Sequence, residues 1–298
     1  MRLGALSPAV RSGDPQAVAA LERLAGDADV EVAAAAARLS ERLPASLPPF
    51  RFELLGGFAV RRGAWEASEG AWVRPIDARL VRFLLVNLEQ PASEDDLIEA
   101  LWPELPVVSA RRSLQVAASR ARRVLDLPSA ESSIIQRADG LYRLALGAAD
   151  TVDADEFGRL AATALAERGE GRRQLLERAR ALWGGEPLPE ERYSDWATAY
   201  REALIDRYTA VLTALVELDQ SEGDHTGAAE TARELVALDP LNEGAHRALM
   251  TAYARTGRTG HALRQYLECR RALVETLGIE PAEATSRLQG RILAGDRV

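Results

Sequence analysis

The stretch "GDHTGAAETARELVALDP" beginning at Gly223 returns 34 residues later as "GRTGHALRQYLECRRALV" beginning at Gly257. At the same offset Leu215 corresponds to Leu249, and Ala228 to Ala262. This is the tetratricopeptide period, in which each unit is a pair of helices. One pair cannot bury its apolar face alone, so neighbouring pairs must stack, with small residues where the helices cross closely. Pro240 ends a unit. From 151 onward nearly everything reads as helix, including "ALWGGEPL", closed by glycines, and a start at Asp153 with Glu156.

Upstream the period changes. "FRFELLGGFAVRRG" alternates around Gly56-Gly57 as a hairpin does, and "AWVRP" supplies a third short strand. "IDARLVRFLLVNLEQ" is helical, with Leu80, Phe83, Leu84 and Leu88 on one face. "ASEDDLIEALW" starts a second helix with Ser93 as N-cap and Asp96 at the third helical position. Ser109 caps a third helix, and "SSIIQRADGLYRLAL" reads as strand, tight turn at Asp139-Gly140, strand. Residues 1–46 carry Val18, Leu21, Leu24 and then Val32, Ala35, Ala36, Leu39 at helical spacing, with helix starts at Asp14-Pro15 and Asp27. The proline-rich "LPASLPPF", 43–50, ends that segment. The expected fold class is mainly α with a small β component. Its parts are a short helical N-terminal segment (1–46), a winged helix-turn-helix domain (50–147) and an all-α tetratricopeptide-like domain (150–298).

The third helix of the middle section, "SARRSLQVAASRARRVL", holds five arginines between Arg111 and Arg123 and no acid. At ~100° per residue, Leu114, Ala118, Ala121 and Leu125 share one stripe. Arg112, Val116, Ser119 and Arg123 lie opposite, flanked by Gln115 and Arg122 on one edge and by Ser113 and Arg120 on the other. Solvated helices ordinarily interleave acids for i,i+4 pairing, and this one does not. Three helices followed by a hairpin describe a winged helix-turn-helix, whose last helix enters the DNA major groove. Arg112 is then placed for a guanine edge or a phosphate, Gln115 for adenine, and Val116 for a thymine methyl. Ser119, Arg120 and Arg123 are expected as phosphate clamps. Arg111 and Arg122 divide between DNA contact and structural pairing, and Arg137 in the wing is a candidate backbone or minor-groove contact.

Composition sharpens this reading. The chain has a formal net charge of −8, and all 37 of its basic residues are arginine. An acidic chain does not bind polyanions through its average field, so any nucleic-acid surface must be a local patch. Residues 50–147 contain equal numbers of arginines and acids, a dipolar and not a basic domain. No apolar run approaches the ~20 residues of a membrane span, and "MRLGALSPAVRSGD" lacks the apolar core of a signal peptide, so a cytoplasmic protein without membrane partners is expected. The one cysteine, Cys269, excludes an internal disulfide and occupies a small-residue packing position, buried and inert. His225, His246 and His261 show no metal-ligand spacing and fall at inter-helix or surface positions. Asp153, Asp155 and Glu156 read as helix capping rather than a carboxylate site. Trp183, Tyr193 and Trp196 read as packing anchors. No catalytic residue, cofactor or metal is expected, because no nucleophile–base or metal motif is present.

The run "LIEALWPELPVVSARRSLQVAASRARRVLDL", the closing "GLYRLAL", and then "LWGGEPL", "WATAYREAL", "ALDPLNEGAHRALMTAYARTGRTGHALRQY" and "LGIEP" resemble the antibiotic regulatory proteins of actinomycetes. Those pair an OmpR-type winged helix with a bacterial transcriptional activator domain. The resemblance covers about residues 50–295. It implies a transcriptional activator that binds direct repeats in promoter DNA as a homodimer and helps RNA polymerase engage there, through its sigma factor and other subunits. Residues 1–49 fall outside the pattern, and no phosphate-binding glycine loop marks the ATPase domain of larger members. Ala117, Ala118 and Ala121 stand where bulkier residues are common. The competing reading is a scaffold, in which the helical repeats bind a protein or small effector and the winged helix serves for docking.

Overall fold

The computed structural model describes residues 14–40, 48–67, 69–126, 132–296 and 298. Most of the proline-rich stretch 43–50, and residues 1–13, lie outside them. The fold is mainly α with a small β component. The chain divides into two compact units, Met1–Glu156 with Gly185–Glu202, and Phe157–Gly184 with Ala203–Val298.

The first unit opens with α1 (Pro15–Ala25) and α2 (Val30–Ser40). Their contact is a small apolar cluster of Ala17, Val18, Leu21 and Ala36, as the helical spacing requires. Asp14 caps α1, its Oδ1 accepting from the Ala17 N–H at 3.3 Å. The cap of α2 is not Asp27, as expected, but Asp29, which accepts from Glu31 at 2.9 Å. Asp27 instead accepts from the Asp29 N–H and sets the preceding turn.

Next come β1 (Phe50–Glu53) and β2 (Ala59–Arg62), antiparallel with Phe52 opposite Val60. Phe50 and Phe52 are buried while Arg51 is exposed, the period of two that marks a half-buried strand. The third strand, β3, is Trp65–Glu66 and not the expected "AWVRP". Pro75 at the first position of the following helix turns that run into a helix entry, with Arg74 as N-cap. A fourth strand, β7 (Thr151–Val152), was expected as helix; it pairs in parallel with β1, giving the order β3-β2-β1-β7. Asp153 follows it. Its carboxylate is buried and accepts from the N–H groups of Leu54, Leu55 and Ala154, which satisfies backbone donors at the end of β1. Burial raises this carboxyl above the usual aspartate range, with the three N–H groups opposing the shift. It is a structural group.

Three helices follow: α3 (Pro75–Val86), α4 (Glu94–Leu101) and α5 (Val107–Leu125). Leu80, Phe83 and Leu84 of α3 are buried, whereas Leu88 lies beyond the helix end and is half-buried. Ser93 caps α4 with the expected reciprocal pair: its Oγ accepts from the Asp96 N–H, and Asp96 Oδ2 accepts from the Ser93 N–H, both at 3.1 Å. The N-cap of α5 is Pro106, so Ser109 lies inside the helix and not before it. The wing is β5 (Ile135–Ala138) and β6 (Leu141–Leu144), joined at Asp139-Gly140 with φ of 51° and 77°. Two consecutive positive φ values make a type I′ turn, which suits the twist of a two-residue hairpin. The short β4 (Ala92–Ser93) completes a sheet of order β4-β6-β5.

Residues 185–202 return to this unit. The Leu188 N–H donates to Leu54 O at 2.8 Å and the Gly56 N–H to Glu186 O at 2.9 Å. A Cβ on Gly185, whose φ is +133°, would sit 3.1 Å from Gly56 Cα, so this approach requires glycine. Beyond the backbone contact, Glu191 is 2% exposed and accepts from Arg82 Nη2 at 2.6 Å, Arg79 Nε at 2.9 Å and Ser194 Oγ at 2.6 Å. Trp196 packs on Phe83 as an anchor. Tyr193 does not: it is 93% exposed, because Glu191 and Ser194 turn inward on either side of it.

In the second unit, α7 (Arg172–Leu182), α9 (His225–Leu238), α10 (Glu243–Arg255), α11 (Thr259–Leu277) and α12 (Glu283–Ala294) accompany the later parts of α6 (Asp153–Ala166) and α8 (Asp195–Glu222). The internal repeat is visible in three dimensions. Gly223 and Gly257 both end a helix with positive φ, and Leu215, Leu249, Ala228 and Ala262 are all buried. Trp183 stacks on Tyr208 at 4.2 Å. His246 is buried with both ring nitrogens engaged, by Gln265 and by Pro240 O. Cys269 is fully buried, which pushes its thiol up to about 11. At pH 8 it should therefore react with a disulfide reagent much more slowly than free cysteine, and at the free rate once the chain is unfolded. Fast labelling of the native protein would contradict this packing.

Candidate nucleic-acid interface

The burial pattern of α5 separates two faces. Ala110, Leu114, Ala117, Ala118, Ala121, Val124 and Leu125 are buried, against α3 and α4. The small Ala117, Ala118 and Ala121 let α5 lie close against its neighbours. Arg112, Gln115, Val116, Ser119 and Arg123 are exposed, Val116 by 43%. The guanidinium groups of Arg112 and Arg123 have no ion pair or hydrogen bond among the described residues. The first turn of α5 carries no acid, so the partial positive charge of its N-terminus adds to the same face.

The other four expected arginines are engaged within the domain. Arg120 turns toward α3 and donates through Nε and Nη2 to Asp77, at 2.8–3.1 Å. Asp77 is fully buried and also accepts from the Arg74 N–H at the start of α3. Arg120 is thus turned to that carboxylate, inward of the outer position expected of a phosphate clamp. Arg122 donates to Ile135 O at 2.9 Å and ties α5 to the wing. Arg111 pairs with Glu94 Oε2 at 3.1 Å and approaches Asp95 at 3.8 Å. Arg137 donates to Glu94 Oε1 at 2.8 Å, and that bond is the first cause of its raised pKa. One carboxylate, Glu94, therefore bridges the arginine helix and the wing, and its own N–H donates to Gly140 O in the wing turn. Arg111 and Arg137 remain about half exposed, two cations on one anion.

Sequence reasoning missed Glu94 as this bridge and Asp77 as the partner of Arg120. The available signal was the acidic first turn of α4, read only as capping. It also passed over Arg143, exposed on the wing and hydrogen-bonded to Gln136. Removing one member of a buried ion pair leaves the other charge uncompensated, at a cost of ~3–5 kcal/mol. Arg120→Ala should lower stability by about that amount, and adding Asp77→Asn should recover much of it. Urea unfolding of the single and double variants decides the point. A fully stable Arg120→Ala protein would return Arg120 to the outer face.

Residues 152–293 match the family of the bacterial transcriptional activator domain. Regulatory protein DnrI from Streptomyces peucetius is 30% identical over 214 residues, covering 67% of this chain and 77% of DnrI. The chain belongs to the actinomycete antibiotic regulatory protein family. Within the family, regulatory protein AfsR from Streptomyces coelicolor is 33% identical over 253 residues, 83% of this chain. The chain spans only 24% of AfsR's length. EmbR from Mycobacterium tuberculosis, solved with a low-affinity phosphopeptide, superposes with a TM-score of 0.67 at 25% identity, covering 85% of this chain and 67% of that one. The family architecture, a winged helix-turn-helix followed by a helical activator domain, is thus the one seen here. Among the described residues, no helix is long and apolar enough to cross a membrane, and no cluster of His, Cys, Asp and Glu has a metal-binding arrangement.

Proposed function

We propose that this chain is a sequence-specific DNA-binding transcriptional activator that binds direct repeats in promoter DNA as a homodimer. In this reading it recruits RNA polymerase through the sigma factor and other subunits. The observation that carries it is the exposed face of α5, unpaired among the described residues, where Arg112 and Arg123 surround Gln115, Val116 and Ser119. Arg112 and Gln115 have the chemistry to read a guanine and an adenine edge, and Val116 that to meet a thymine methyl. Ser119 and Arg123 hold phosphates, which fixes register without reading sequence. Arg111 and Arg137 sit at the two sides of Glu94 and contact the backbone only with exchange of that pairing. Membership of a family in which RedD is named a transcriptional regulator and DnrI a regulatory protein supports the same reading. Footprinting on a promoter fragment tests it: protection of two repeats on one face of the duplex is expected. Absence of any sequence-selective protection at ~100 mM salt would refute it and favour the scaffold reading.

A further inference from the structure

Away from α5, the first unit holds a cavity of about 1110 Å3 lined by Phe58, Trp72, Arg74, Ile76, Arg79 and Tyr193 among others. Small-molecule sites run to roughly 300–1,000 Å3, so this one has room for a fused-ring ligand. Its apolar part is aromatic: the Phe58 and Trp72 rings lie 5.9 Å apart at 45°, and neither is fully buried. Arg82 lies over the Phe58 ring at 5.2 Å.

The charges along this cavity are unevenly satisfied. Glu191 is saturated by Arg82, Arg79 and Ser194, and Glu190 Oε1 accepts from the Phe58 N–H. Three guanidinium groups, Arg74, Arg79 and Arg82, thus face two carboxylates that are already engaged. The Arg74 side chain has no ion pair among the described residues, and Arg79 donates through Nε and Nη2, leaving Nη1 without a partner there. A planar guanidinium fork beside aromatic rings suits a flat ring bearing a carboxylate: the ring stacks and the carboxylate takes two parallel N–H bonds.

We propose that this cavity is a binding site for a planar aromatic carboxylate of two or three fused rings, held by Phe58 and Trp72 with its carboxylate on Arg74. The assignment is independent of the DNA reading, because it is tested by binding alone. Titration calorimetry of the full chain with 1-naphthoate should show saturable one-site binding. The cation 1-naphthylmethylammonium, of like size, should bind at least ~10-fold more weakly. Arg74→Ala, at an exposed position, and Trp72→Leu, which keeps apolar bulk, should each weaken naphthoate ~10-fold. Arg74→Lys should restore only part of the loss, since an ammonium has no fork. The proposal fails if naphthoate does not saturate below ~1 mM, if acid and amine bind alike, or if both variants bind as the parent does.

Discussion

Replacing Arg112 and Arg123 together with alanine should weaken promoter binding ~10- to 100-fold near 100 mM salt. Both side chains stand on the exposed face of α5 without a partner among the described residues, so fold and stability should be unchanged by their loss. Each arginine that neutralises a phosphate contributes about 0.9 to the slope of log affinity against log salt, so the double variant should also show a slope smaller by roughly 1 to 2. The single variants separate the roles. If Arg112 reads a base edge, its loss costs ~1–3 kcal/mol and relaxes sequence preference, whereas loss of Arg123 weakens specific and nonspecific DNA alike. Mobility shifts with promoter and scrambled duplexes over a range of salt measure both quantities. An affinity within about twofold of the parent in the double variant would remove α5 as the DNA face.

The second large effect concerns stability. Glu191→Ala should destabilise the first unit by ~3–5 kcal/mol, because it strands Arg82, only 8% exposed, without a counter-charge. Arg79 and Ser194 lose their acceptor in the same step. Glu191→Gln retains one acceptor oxygen but aims amide N–H groups at guanidinium donors, so it should fall between the two. Replacing Arg82 and Glu191 together by methionine should recover most of the loss, as apolar replacements of whole buried pairs often do. Urea unfolding followed by tryptophan fluorescence reads mainly this unit, since Trp65, Trp72, Trp102 and Trp196 lie in it, Trp183 alone lies in the other, and Trp196 packs on Phe83 beside the pair. A Glu191→Ala protein within about 1 kcal/mol of the parent would mean that the pair is solvated.

How much of this was legible from residues alone varies with distance along the chain. The Ser93–Asp96 cap spans three residues, and the Asp139-Gly140 turn two. The stripe of Leu114, Ala118, Ala121 and Leu125 repeats within five turns of one helix, and the Gly223/Gly257 repeat lies within one array. Each of these is a local regularity, imposed by the geometry of a helix or a hairpin on its own neighbours. They suffice to place a winged helix before a helical repeat. Some of the errors were also local: a cap moved from Asp27 to Asp29, and from Ser109 to Pro106, and a third strand moved to Trp65–Glu66. At such boundaries several polar or extended residues compete, and small differences in packing choose among them.

The arginine helix shows where such reading stops. Its lack of acids is a property of seventeen consecutive letters, and it correctly marks one face as apolar and the other as cationic. Whether a given guanidinium is free depends on carboxylates elsewhere: Asp77 lies 43 residues before Arg120, Glu94 lies 43 before Arg137, and Glu191 lies 109 after Arg82. Side chains separated this far are brought together by the folding of α3, α4 and the 185–202 segment, and nothing in local spacing encodes which acid will meet which arginine. Periodicity therefore sufficed to say which surfaces of the helices are greasy and which are charged. Only the assembled packing divides those charges into the ones that hold the domain together and the ones left over for a partner, because that division is a matter of through-space distance and desolvation.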